Sequence, residues 1–137
     1  MKRQIILPLV FLILSLSGCA SMKEAAKCVI GVSTKDLQDG RKDAIKKTFG
    51  YDYKTCYDKT KGILKEKGCY IYAEDAKKGM IAVYLSREDT TPVGLFFTAQ
   101  DANNTQIEVS GPSTYAKEVI SEKVFTALEG ESLEKKE

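Results

Sequence analysis

Four short stretches between residues 69 and 110 alternate apolar and polar side chains, and a period of two over so long a region predicts antiparallel sheet. In CYIYAED, Cys69, Ile71 and Ala73 alternate against Tyr70, Tyr72 and Glu74. After the turn KKG, Ile81, Val83 and Leu85 alternate against Met80, Ala82 and Tyr84, so the two stretches read as a hairpin with one apolar face. PVGLFFTA offers Val93, Leu95 and Phe97, DANN turns, and TQIEVSG offers Ile107 and Val109, a second hairpin. Upstream, Ile45, Phe49 and Tyr51 recur at even spacing with Lys47 as the exception. This predicts a first strand, against the competing reading of a short helix.

The flanks change period. Asp52 is a candidate N-cap, and Tyr53, Cys56, Tyr57, Thr60, Ile63 and Leu64 form one apolar stripe of a helix closed by Gly68. Pro112 and Ser113 open a second helix, striped by Tyr115, Ala116, Val119, Ile120, Val124, Ala127 and Leu128 and expected to stop at Gly130. The order is β-α-β-β-β-β-α. A one-faced antiparallel sheet and two one-sided helices must bury their stripes against each other, so the expected fold is α+β: a two-layer sandwich of about five strands with two helices on one face.

The amino-terminal segment has a different character. Lys2 and Arg3 precede Ile5 to Leu16, twelve residues of which Pro8 and Ser15 alone are not strongly apolar. A bilayer-spanning helix needs about 20 such residues, whereas the core of a secretory signal needs about 7 to 15. Leu16-Ser17-Gly18-Cys19 then resembles the lipobox of bacterial lipoproteins at every position. The resemblance implies a diacylglyceryl group on the Cys19 sulfur, cleavage by signal peptidase II between Gly18 and Cys19, and acylation of the new amino group. Such chains, palmitate among them, anchor a protein durably when two or more are present. The competing reading is an ordinary signal peptide or uncleaved anchor. Ala20 rather than Asp follows the cysteine, which in the sorting rule of enteric lipoproteins favours the periplasmic side of the outer membrane; a host with one membrane would hold the chain on the outer face of that membrane.

The expected organisation is a signal peptide over 1–18, a lipidated tether over 19–40 with a capping-box start at Ser21 and Glu24, one domain over 41–130, and a disordered tail over 131–137. The element order of that domain resembles the helix-grip and BamC-like domains of small envelope lipoproteins, a resemblance that bears on fold and implies no activity.

Charge and residue types narrow the functional classes. Lys2 and Arg3 lie in the segment to be removed, and the 21 Lys and Arg less those two equal the 19 Asp and Glu, so a product starting at Cys19 is balanced. That removes the electrostatic case for nucleic acid as a partner. There is no histidine, hence neither the commonest near-neutral base nor the commonest zinc ligand. No metal site or cofactor is expected, and no catalytic set assembles. Arg87, Glu88 and Asp89 read as a solvated loop, and Lys54, Lys59, Lys61, Lys65 and Lys67 as a solvated helix face that could touch anionic headgroups.

Three cysteines remain beside Cys19. Cys56 and Cys69 sit on apolar stripes and read as small core residues. Cys56 stands about 18 Å up the helix from Gly68 at ~1.5 Å per residue, which disfavours a bridge to Cys69 unless the helix ends early. Cys28 on the tether could pair with Cys56, with Cys69 or with another molecule. Seven tyrosines raise one further expectation: Tyr70, Tyr72 and Tyr84 share the face opposite the core of the first hairpin and, with Phe96, form a candidate binding surface. The alternatives are cross-strand tyrosine pairs that simply stiffen a half-exposed sheet, or the opposite assignment of faces.

The functional expectation is a lipid-anchored envelope protein, not an enzyme, whose domain binds an envelope protein in a structural or accessory role. The alternative is a carrier holding a small apolar ligand or lipid between helices and sheet.

Overall fold

The structure, a computed structural model, describes residues 34–134. The signal segment, Gly18, Cys19, the capping box at Ser21 and Cys28 all lie outside those residues.

Asp52 caps the first long helix: it has extended backbone, and its side chain accepts a hydrogen bond from Thr55 N at 3.0 Å. The chain runs from α1 (Thr34–Asp39) through a 3-10 turn (Gly40–Asp43) to β1 (Ile45–Phe49), α2 (Tyr53–Glu66), β2 (Tyr70–Asp75), β3 (Met80–Tyr84), β4 (Pro92–Ala99), β5 (Thr105–Ser110) and α3 (Thr114–Glu134). All strand pairs are antiparallel in the order β1-β5-β4-β3-β2. The two expected hairpins therefore join into a four-stranded meander, and β1 adds to its β5 edge. β2 forms the opposite edge.

The fold is an α+β sandwich. One sheet face buries Ile81, Val83, Val93, Leu95, Ile107 and Val109 against Cys56, Tyr57, Ile63 and Leu64 of α2 and Ala116, Ile120, Val124 and Leu128 of α3. Hydroxyl donors pin these layers: Tyr57 OH bonds Met80 O at 3.2 Å, and Tyr51 OH bonds Leu128 O at 3.2 Å. Lys47, the exception in the first strand, faces the helices but lies at the sheet edge, where its ammonium meets the Glu129 carboxylate of α3.

The second face is not bare. Leu37 of α1 is fully buried there against Met80, Ala82 and Phe96, with Tyr72 and Ala73 packed beside it. Gly94 makes this approach possible, because a Cβ at that position would stand 2.9 Å from the Phe96 ring and 3.1 Å from Leu37 Cβ. Ser110 Oγ donates to Leu37 O at 2.6 Å. Residues 34–40, read from sequence as the end of a tether, thus belong to the packed domain.

α3 also runs further than its sequence suggested. It continues through Gly130 to Glu134, taking in four residues assigned to the tail. Gly130 meets nothing within 4 Å of a built Cβ and sits at ordinary helical geometry; the final turn gains an ion pair between Lys59 and Glu131 that offsets the cost of a helical glycine, about 1 kcal/mol. Tyr115, placed on the apolar stripe, is exposed, whereas Ser121 and Phe125 are buried. Among the described residues no helix is long and apolar enough to cross a membrane.

Candidate functional site

The register of β2 on β3 shifts between Ile71 and Ala73, so Tyr72 is a bulged residue. Tyr72 keeps to the face of Tyr70 and Tyr84, as alternation implies, but every later side chain changes sides: Ala73 packs on the second face, while Glu74 turns toward α2 and pairs with Lys61 at 2.8 Å. The sequence had placed Ala73 inward and Glu74 outward. Simple alternation cannot anticipate a bulge.

The three candidate tyrosines do meet. The Tyr84 ring lies between the other two, 4.2 Å from Tyr72 and 6.2 Å from Tyr70, with interplanar angles of 21° and 10°. The Arg87 guanidinium stands 5.8 Å from the outer face of this stack, over Tyr70. The stack is far from the open patch expected. Tyr84 is only 8% exposed, Tyr72 is half-buried with a hydroxyl that has no hydrogen-bond partner, and Tyr70 alone is open, at 44%. Phe96, expected to join the patch, is buried under Arg41, whose guanidinium carbon is 4.7 Å from the ring. Burial, with Tyr84 adding to it, pushes the Tyr72 hydroxyl up to about 12.

What remains open is the outer edge of β2. Two recesses lie along it on either side of Ile71, of about 320 Å³ toward Lys61 and Glu74 and about 360 Å³ toward Gly68, Tyr70 and Arg87. Lys65 borders both. The helix face that supplies it is less uniformly basic than its letters suggest: Lys54 pairs with Asp58 at 2.6 Å, Lys59 with Glu131 and Lys61 with Glu74. Lys65 and Lys67 have no carboxylate within 4 Å among the described residues.

The thiols offer no chemistry on this surface. Cys56 is fully buried and its pKa is raised by burial to about 11, helped by the nearby Asp52 charge; burial likewise raises Cys69, with Lys123 opposing. Both are free thiols. The loop after β3 folds on its own polar groups: Ser86 Oγ accepts from Glu88 N and Asp89 N, and Asp89 accepts from Thr91 N and Thr91 Oγ1. Among the described residues no three His, Cys, Asp or Glu side chains gather as metal ligands.

One buried charge escaped the sequence reading. Glu108 alternates with the inward Ile107 and Val109 and so lies on the second face of the sheet. It is buried, because the 3-10 turn lies over it, and its carboxylate accepts from Arg41 Nε at 2.6 Å and from Lys46 Nζ at 2.9 Å. Burial would raise its pKa, but the hydrogen bonds from Lys46 and Arg41 prevail and hold it below the ordinary value. The available signal was the cross-strand pairing of Lys46 with Glu108, which becomes visible once β1 is placed on β5.

No protein-family model matches the sequence, and no curated protein matches it.

Proposed function

We propose that this chain is a lipid-anchored cell-envelope protein whose α+β domain acts by binding another envelope protein, in an accessory or structural role. The anchor rests on the twelve-residue apolar core followed by Leu16-Ser17-Gly18-Cys19. The observation that carries the binding role is the grooved, open edge of β2, where an exposed tyrosine, an arginine and a lysine border open recesses. Tyrosine and arginine are the residue types that dominate contact energies between proteins.

The interior supports surface binding over a carrier role. The space between helices and sheet is filled by Leu64, Ile81, Val83, Leu95, Ile107 and Ile120, all essentially without exposure, and the two recesses are open ones at its rim, bordered by the charged Lys61, Lys65, Glu74 and Arg87.

Two measurements test the reading. A Cys19→Ala variant should remain uncut and unlipidated; processing at the 18/19 bond in that variant would remove the anchor. A photo-crosslinking amino acid in place of Tyr70 should capture a defined envelope protein in cells, and the same probe in place of Tyr115 should not. Equal capture from both positions would remove the binding role.

A further inference from the structure

We infer that the open edge of β2 docks an extended, acidic segment of another protein, which adds to the sheet as a further strand with its carboxylates against Lys65 and Arg87. The inference rests on the binding role proposed above and names the chemistry of the partner.

The backbone comes first. β2 has β3 on one side and, among the described residues, no strand on the other, so its outward N–H and C=O groups have no strand partner there. An unpaired edge is a template for one more strand, and the main-chain ladder supplies affinity while pockets for alternate side chains supply specificity. Two recesses flank Ile71 along the strand, and they are bounded on the far side by Lys61 and Lys65 of α2. An extended chain offers side chains to one face at every second residue, about 7 Å apart, which suits two hollows in a row.

Charge then distinguishes one end of the groove from the other. Around the first recess Lys61 and Glu74 neutralise each other. Around the second, Lys65 and Arg87 share a recess floored by Gly68, Cys69 and Ile71, and neither makes a salt bridge among the described residues. The acidic groups nearest in sequence are Glu66, Glu88 and Asp89, and the Asp89 carboxylate is engaged by Thr91. Arg87 is held over the exposed Tyr70 ring, a ready partner for an apolar side chain next to a carboxylate. The complement of this rim is negative. The bulge at Tyr72 interrupts the regular ladder and so guards against indiscriminate edge pairing, leaving the cationic end to select the partner.

The test uses the full chain in detergent, titrated with an alternating Asp/Val octapeptide and with its Lys/Val counterpart, while amide exchange is followed residue by residue. The acidic peptide should bind saturably and protect amides within Tyr70–Asp75; the basic one should not. The double variant Lys65→Glu, Arg87→Glu, both surface changes, should weaken acidic binding about tenfold or more without altering the unfolding temperature, and added salt should weaken binding to the parent protein. Equal binding of both peptides, protection elsewhere, or indifference to the double variant would overturn the inference. Dimerisation with β2 protected before any peptide is added would overturn it in favour of a second copy, and preferential binding of phosphatidylglycerol vesicles through Lys65 and Arg87 would overturn it in favour of a lipid surface. Capture of an envelope protein from position 70 alongside failure of the acidic peptide would sink this inference and leave the binding role standing.

Discussion

Replacing Glu108 by Gln should destabilise the domain by about 1–2 kcal/mol near neutral pH, and the loss should vanish in acid. The side chain is 8% exposed and accepts from Arg41 and Lys46. Each hydrogen bond to a charged group contributes about 1.5–3 kcal/mol against 0.5–1.5 for a neutral one. The full difference is not realised, because the two cations are 39% and 46% exposed and water recovers part of what they lose. Glutamine keeps the volume and one acceptor, which leaves about 1–2 kcal/mol, or roughly 4–12 °C in a domain of this size. The sign with pH follows from linkage. A carboxylate whose folded pKa is lowered contributes stability above its unfolded value, near 4.5, and loses that contribution as pH falls through the lower folded value. Urea unfolding followed by circular dichroism across the acid range should therefore show a gap between parent and variant that is full at neutral pH, narrows below pH 4.5 and closes further down. Equal stability at neutral pH, or a gap that ignores pH, would refute the assignment of Glu108 as a charged latch.

Three other outcomes are expected. Gly94→Ala should cost about 1–3 kcal/mol in the same denaturation assay, since the added methyl meets the Phe96 ring and Leu37; combining it with Leu37→Ala should cost less than the sum of the two single changes, and strict additivity would count against the contact. Tyr72→Phe should be neutral or stabilising by up to about 1 kcal/mol, because it removes a buried hydroxyl with no partner, and a larger loss would mean that the hydroxyl is bonded. Cys56 and Cys69, buried and with raised pKa values, should resist iodoacetamide in the folded protein at neutral pH and react in urea; peptide mapping that finds either one alkylated under native conditions would contradict the burial.

Much of the scaffold was legible because its signals are local. The Asp52 cap, the α2 stripe from Cys56 to Leu64 and the closing Gly68, with φ of 77°, each act within a few residues. The candidate surface was legible only in part. Tyr70, Tyr72 and Tyr84 share a face as their alternation implies, yet two of the three are covered: Tyr84 stacks with the other two rings, and Tyr72 packs beside the cluster that holds Leu37. α1 contributes one buried residue, Leu37, and a six-residue helix with one apolar position carries no period to read.

By itself, then, the sequence determined the two hairpins, the two long helices and most of their apolar faces, because periods of 2 and 3.6 are properties of a segment alone. It also determined the amino-terminal Leu-Ser-Gly-Cys pattern on which the proposed address depends. Tertiary structure decided which faces are covered and which edge is left open. Those outcomes hang on partners far apart in the chain: Arg41 and Glu108 are 67 residues apart, and Leu37 and Ser110 are 73. Burial of Glu108 and of Phe96 follows from that distant closure, and the place of β2 at the sheet edge follows from the register of four strand pairs. Periodicity reports what a side chain prefers, whereas its exposure is set by whatever the rest of the chain lays over it.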